Sequence, residues 1–193
     1  PVVGGLLNAL RLRAPQTAEH SLRVADLATE LGTRMGLNAA GVKMVRTAAL
    51  LHDIGRLTLP DVILNSTGAL SDADWELIRR HPRNAFEMLN GLVPPEVANV
   101  VLTHHEHLDG TGYPSQLSGD QIPLPARMVL VCDAYDAMIS HRLYRSAKSS
   151  STAIQELFAA TDNQLDRDVV VAFAEMMEEE RANVIELPLS QAG

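Results

Sequence analysis

The sequence predicts an all-α domain, and three observations carry that prediction. Apolar residues recur at helical spacing along most of the chain, and no segment alternates with period two. The core must be built from Leu, Val, Ala and Met, because hydrophobic residues make up 46% of the chain and aromatics 4%. Ala and Leu are good helix formers. Prolines, glycines and capping residues punctuate the apolar stretches where helices would start and stop.

Taken in order, Val24, Leu27 and Leu31 share one face of a helix from Thr17, its N-cap, to Gly36, its stop. Asn38 caps the next helix, whose stripe is Met44, Val45, Ala48 and Leu51 and whose end is Gly55. Leu57–Leu70 reads as irregular, broken by Pro60 and Gly68. Ser71 caps a helix through Trp75, Leu77 and Ile78. Pro82 interrupts that pattern, so one helix stops near His81 and another starts with Pro82 in its first turn. Pro94 and Pro95 open a helix through Val97, Val100 and Val101 to about His105. Residues 107–123 hold Gly110, Gly112, Gly119, Pro114 and Pro123 and read as a long ordered loop, a feature that is usually functional inside a compact domain. A strongly apolar helix follows from Pro125 to about Ser140, then two more near Ser150–Ala160 and Arg167–Glu180.

With 193 residues the chain suits one domain with a substantial core. We place an N-terminal helix or linker at 1–16, the main domain at 17–183 and a tail at 184–193. The net charge of -8 argues against a DNA or RNA duplex as partner, so an anionic ligand must be attracted locally. The single cysteine, Cys132, cannot form an internal disulfide and fits a cytoplasmic compartment. Ala126–Cys132 is too short to span a bilayer and contains Arg127, and no signal peptide is visible, so no membrane is expected. The chain begins at Pro1 rather than Met, which fits an excised or processed piece and leaves a preceding domain open.

The chemistry lies in the histidines. Of seven, five sit on or beside apolar helix faces. His20 lies on the Val24 stripe, His52 continues Ala48, His81 follows Ile78, and His104 and His105 follow Val101. Asp53 neighbours His52, and Asp133 lies in the apolar run Met128–Met138. A lone histidine on such a face is more often a core residue than a ligand. Five, with two apolar-flanked aspartates, point to metal, since coordination offsets the cost of burying a carboxylate and neutral imidazole suits transition ions.

Four segments resemble the HD-GYP family, a branch of the HD phosphohydrolases: His20–Val24, His52-Asp53-Ile54-Gly55, His81-Pro82, and the 11-residue stretch His104–Pro114. A fifth, Asp133–Ala137 followed by Arg142-Leu143-Tyr144-Arg145, is similar to the family's downstream segment. The resemblance covers roughly residues 13–180 and implies an HD-type helical bundle with a metal site between helices. It implies that His20, His52, Asp53 and Asp133 hold one divalent ion, that His81, His104 and His105 hold a second, and that Asp53 bridges. Two such ions roughly 3.5–4 Å apart can hold an attacking hydroxide and stabilise a phosphoryl transition state. Iron or manganese leads the expected metals, with zinc, nickel or cobalt tolerated. The implied substrate is the cyclic dinucleotide c-di-GMP, cleaved to pGpG and onward to GMP. Two alternatives stand beside this: an HD-GYP receptor or adaptor with little or no turnover, and a hydrolase for another nucleotide.

By the same resemblance Arg142 and Arg145 bind substrate phosphates, a task that guanidinium groups suit. Gly112 and Tyr113 belong to the loop that names the family and are assigned to substrate, with the loop also a contact for a signalling partner. Arg56 stands where the family commonly has Lys and is assigned with Asp53 to catalysis, with altered reach. Gln16 stands where some relatives carry a Glu that holds a third ion; an amide is a poor substitute, so two ions are expected. Asp109 and Asp136 are expected to orient ligands, while His107 and His141 are left unassigned. Cys132, Met176 and Met177 are expected in the core, Glu178–Glu180 at a solvated helix end, and the N-terminal helix as a surface for a homodimer.

Overall fold

A computed structural model describes residues 2–64, 66, 68–140, 147–161 and 163–186, with side chains described to residue 182. The described elements are helical, apart from one isolated bridge between Thr161 and Leu165. They are α1 (Val2–Arg13), α2 (Pro15–Arg34), α3 (Ala39–Leu51), a 3-10 turn (Ile54–Thr58), α4 (Asp61–Leu64), α5 (Asp72–Ile78), α6 (His81–Leu89), α7 (Pro95–Thr103), a second 3-10 turn (Gly119–Gln121), α8 (Leu124–Ile139), α9 (Ser150–Ala159) and α10 (Arg167–Glu186). Among the described helices none is long and apolar enough to cross a membrane.

Helix α2 packs against α1, α3, α8 and α10, and α3 packs in turn against α7 and α8. Val24, Leu31, Val45, Ala48 and Leu51 are fully buried at the α2–α3 contact. Each such Val or Leu side chain contributes roughly 1.5–3 kcal/mol of burial free energy. Helix α8 is apolar on nearly every side: Met128, Val129, Val131 and Cys132 are all buried, as a central helix requires. Met176 also joins the core, and Glu179 lies exposed on α10, paired with Arg34.

Several boundaries differ from the sequence reading. Helix α2 starts at Pro15, not Thr17; Ala14 is its N-cap and makes no side-chain cap bond. Proline needs no such partner, because its fixed φ and missing N–H suit the first turn. The expected boundary between 16 and 17 therefore falls inside α2, and Leu10 of α1 is buried in the shared core. Gly55 does not end α3. The helix stops at Leu51, and Gly55 lies in the following turn. A Cβ there would sit 2.0 Å from the His81 carbonyl oxygen, so only glycine lets this turn lie against the start of α6. The stretch 57–70 is also less irregular than expected, since it contains α4. Asn38 and Ser71 cap as expected, the latter in a reciprocal capping box with Asp74.

Arg13 at the end of α1 fastens the chain after the first turn. Its guanidinium donates to the carbonyls of Leu57 and Leu59 and pairs with Asp61 at 2.8 Å.

Candidate metal centre

The residues that end or begin helices converge between α2, α3, α6, α7 and α8. His52 is the C-cap of α3, His81 the first residue of α6, and His104 the C-cap of α7. His20 and Asp133 project from within α2 and α8.

Each of three imidazoles is oriented by the same device. Nδ1 of His52 donates to the Ala49 carbonyl at 2.7 Å, Nδ1 of His81 to Ile78 at 2.8 Å, and Nδ1 of His104 to Val101 at 2.6 Å. The acceptor is three residues back each time, at a helix end where carbonyls lack intrahelical partners. With the proton on Nδ1, Nε2 carries a lone pair that faces inward. The His81 and His104 Nε2 atoms stand 3.4 Å apart, and the buried Nε2 of His52 has no hydrogen-bond partner among the described residues. Converging lone pairs and an orphaned nitrogen among buried side chains are unfavourable unless a cation lies among them. The donor set thus fits divalent metal.

The potential ligand atoms form overlapping groups. His81, His104 and His105 form one, and His20, His52 and Asp133 another. Asp53 joins them through a third group with His52 and His104. Its Oδ1 lies 3.3 Å from His81 Nε2 and its Oδ2 lies 3.6 Å from His52 Nε2, so one carboxylate reaches both clusters. All seven sequence-predicted ligands therefore converge on one place.

The protonation states suit ligation. Burial pushes His81 down to about 3, His105 down to about 4 and His104 well below its usual value, which leaves all three neutral near pH 7. Burial opposes ionisation of Asp53, but Arg56 and the surrounding imidazoles outweigh it and hold the carboxyl well below its usual range. Asp133 is likewise lowered, against burial, by the hydrogen bond from His20. His20 is the exception: burial would lower it, yet hydrogen bonds to Asp133 at 2.9 Å and Asp136 at 2.7 Å raise it to about 9. A metal on Nε2 must displace that proton.

Support around these residues is extensive. Asp136, which sequence reasoning gave an orienting role, accepts from His20 Nδ1 and from Arg23 Nε at 2.7 Å and Nη2 at 2.9 Å. Arg23 was missed, although it sits one turn beyond His20 on the same face of α2. Arg56 Nε donates to Asp53 Oδ1 at 2.6 Å.

The 107–123 loop is built onto this site. The Tyr113 ring stacks on His105 with centroids 4.9 Å apart, while its N–H donates to the His105 carbonyl at 3.1 Å. Gly112 is buried, and a Cβ would meet His107 N at 2.3 Å and the His105 carbonyl oxygen at 2.5 Å. Glycine at this position therefore seats the loop against the backbone of residues 105–107. Glu106, within the His104–Pro114 stretch, is buried and accepts from the N–H groups of Ser115 at 2.6 Å and Leu117 at 3.0 Å. Asp109 Oδ1 accepts from the N–H and the hydroxyl of Thr111 within the loop. Arg142, Arg145 and His141 lie outside the described residues.

A cavity of about 450 Å³ opens on the centre. His20, Asp53 and Asp133 line one end, with Arg23, Arg56 and Gln16 beside them.

A helical bundle in which five histidines and two aspartates converge between helices, beside a cavity, is the arrangement of a metal-dependent HD domain. The HD domain family profile matches residues 6–169, and the chain belongs to that family, in its HD-GYP branch. It is 41% identical over 172 residues to a cyclic di-GMP phosphodiesterase of Pseudomonas aeruginosa, covering 87% of this chain and 41% of the relative. It is 37% identical over 143 residues to the 3′3′-cGAMP-specific phosphodiesterase 3 of Vibrio cholerae, covering 74% of this chain and 31% of the relative. The chain thus spans less than half the length of these relatives. Among solved structures, a cyclic GMP-AMP specific phosphodiesterase of V. cholerae superposes with a TM-score of 0.70 at 21% identity, over 96% of this chain and 53% of that one, which supports the fold.

Proposed function

We propose that this chain is a two-metal phosphodiesterase domain that hydrolyses c-di-GMP to pGpG and onward to GMP. The observation that carries the reading is Asp53, a single buried carboxylate reaching two clusters of inward-facing imidazoles at the end of a cavity. Identity to a relative named for c-di-GMP supports the substrate. Bound ions would supply Lewis acidity and an activated water. His20, His52 and Asp133 would hold one ion, His81, His104 and His105 the other, with Asp53 shared. Mixed imidazole and carboxylate ligation favours iron or manganese and tolerates zinc, nickel and cobalt. Gln16 lines the cavity where a carboxylate would be needed for a third ion, which supports two. Arg56 and Arg23 put positive charge beside the centre for a phosphate, and Arg142 and Arg145 are assigned to the same anion from the sequence. We place the protein in the cytoplasm, with the Gly110–Pro114 loop as a contact for a signalling partner and α1 as a surface for a homodimer. Residues 17–183 remain the proposed HD-GYP unit, although α1 shares its core.

The test is turnover of c-di-GMP by protein loaded with Mn²⁺ or Fe²⁺, with pGpG and GMP as expected products. No turnover by protein with both ions bound would overturn it. Arg56 favours a second reading, a receptor that binds without cleaving, because its guanidinium already occupies Asp53 Oδ1. Tight c-di-GMP binding without product would select that reading. The cGAMP-specific relative motivates running 3′3′-cGAMP in parallel.

A further inference from the structure

The cavity lining is of two kinds, the ligand candidates and arginines, and an apolar set. In that apolar set, Leu59, Ile63 and Ile78 form a small cluster of their own, apart from the main core. Trp75 lies beside them and also lines the cavity, with 49% of its surface exposed. It is the only tryptophan in the chain. The capping box of Ser71 and Asp74 fixes the first turn of α5 directly before it, and Trp75 N–H continues that turn by donating to the Ser71 carbonyl at 3.0 Å. A flat aromatic on a braced helix, half open to a cavity that metal-ligand candidates and arginines also line, presents a stacking face.

We propose that Trp75 is the stacking platform for a purine base of the substrate, with Leu59, Ile63 and Ile78 as the apolar wall beside it. The proposal rests on the cyclic dinucleotide reading above and assigns the base, rather than the phosphate, its own subsite. A phosphodiester at the His20–Asp53–Asp133 end leaves its attached nucleoside to extend along the cavity towards this wall. The indole face and the apolar residues beside it then replace water against a planar base, whereas a phosphate or sugar gains nothing there.

The single indole makes the test direct. Metal-loaded protein is titrated with c-di-GMP, GMP and ribose 5-phosphate while intrinsic tryptophan fluorescence is followed. The two purine compounds are expected to quench it saturably, and ribose 5-phosphate to leave it unchanged. In turnover and equilibrium dialysis, Trp75→Ala is expected to raise KM and Kd for c-di-GMP by roughly 5- to 150-fold, the range of one base–aromatic stack. Metal content should stay at the wild-type value, and Trp75→Phe should restore most of the affinity. Saturable quenching without hydrolysis would keep the subsite and refute the enzymatic reading. Hydrolysis or dialysis binding of c-di-GMP with fluorescence unmoved would overturn the subsite, as would wild-type Kd in Trp75→Ala. A Trp75→Ala chain that fails to fold leaves the wild-type titration and Trp75→Phe to decide.

Discussion

Replacing Asp136 with Asn probes how the first cluster is held. The carboxylate is 1% exposed and accepts four hydrogen bonds: from His20 Nδ1 at 2.7 Å, Arg23 Nε at 2.7 Å, Arg23 Nη2 at 2.9 Å and Ser140 Oγ at 3.1 Å. An amide keeps one acceptor oxygen and turns an NH2 group towards a donor. Hydrogen bonds to a charged group are worth about 1.5–3 kcal/mol each. Arg23 is 48% exposed and regains water when released, so the net loss is set mainly by the less exposed His20, at about 2 kcal/mol. That corresponds to a fall of roughly 4–8 °C in unfolding midpoint for a domain of this size. Loss of the partner that fixes the His20 tautomer should weaken metal binding about 10- to 100-fold. Competition for Mn²⁺ against a chromogenic chelator reads the affinity, and thermal unfolding of chelator-treated protein reads the stability. A folded Asp136→Asn protein with wild-type metal affinity would refute the claim that this carboxylate positions His20 for a metal.

Gly55→Ala places a Cβ 2.0 Å from the His81 carbonyl and 2.7 Å from Ala85 N, backbone atoms with no easy retreat, so stability should fall by about 3 kcal/mol and metal content should fall with it. A Gly55→Ala protein with an unaltered unfolding midpoint would contradict that packing. Ser71→Ala removes the α5 cap at about 1 kcal/mol, a shift of roughly 2–4 °C, while metal content stays constant. The pH dependence of metal-stripped protein has two arms. His20 is raised to about 9, so its contribution is fully present below the unfolded value of 6.5 and is lost as pH climbs through 9. His81 and His105 are lowered, to about 3 and about 4, so the fold loses stability as pH drops below 6.5, where the unfolded chain takes up protons first. Unfolding midpoints of chelator-treated protein should therefore fall on both sides of the near-neutral region, and a flat alkaline arm would contradict the His20 assignment.

Much of this was legible in the sequence because helices announce themselves locally. The Val24–Leu31 stripe, the Asn38 and Ser71 caps and Pro82 in the first turn of α6 all rest on interactions within a few residues. The α2 start was misread because a proline start leaves no capping side chain to find. Gly55 was misread because its reason is a non-local approach to His81, which no spacing rule encodes. The seven candidate ligands were legible as a pattern of motif residues, and the structure brings their side chains together. The orienting bonds were not, since the His52, His81 and His104 acceptors are helix-end carbonyls whose role depends on where each helix stops. Arg23 and Asp136 are 113 residues apart, and Glu106 is satisfied by loop backbone, so their roles emerge only from the fold.

The most direct measurement for the two-ion centre is metal content per chain after purification without chelators, for wild type and for His105→Ala and Asp53→Asn. The account predicts two ions in wild type, a loss of one ion in His105→Ala, and a loss exceeding one in Asp53→Asn because that carboxylate serves both clusters. One ion or none in the folded wild type, or full content in Asp53→Asn, would contradict it.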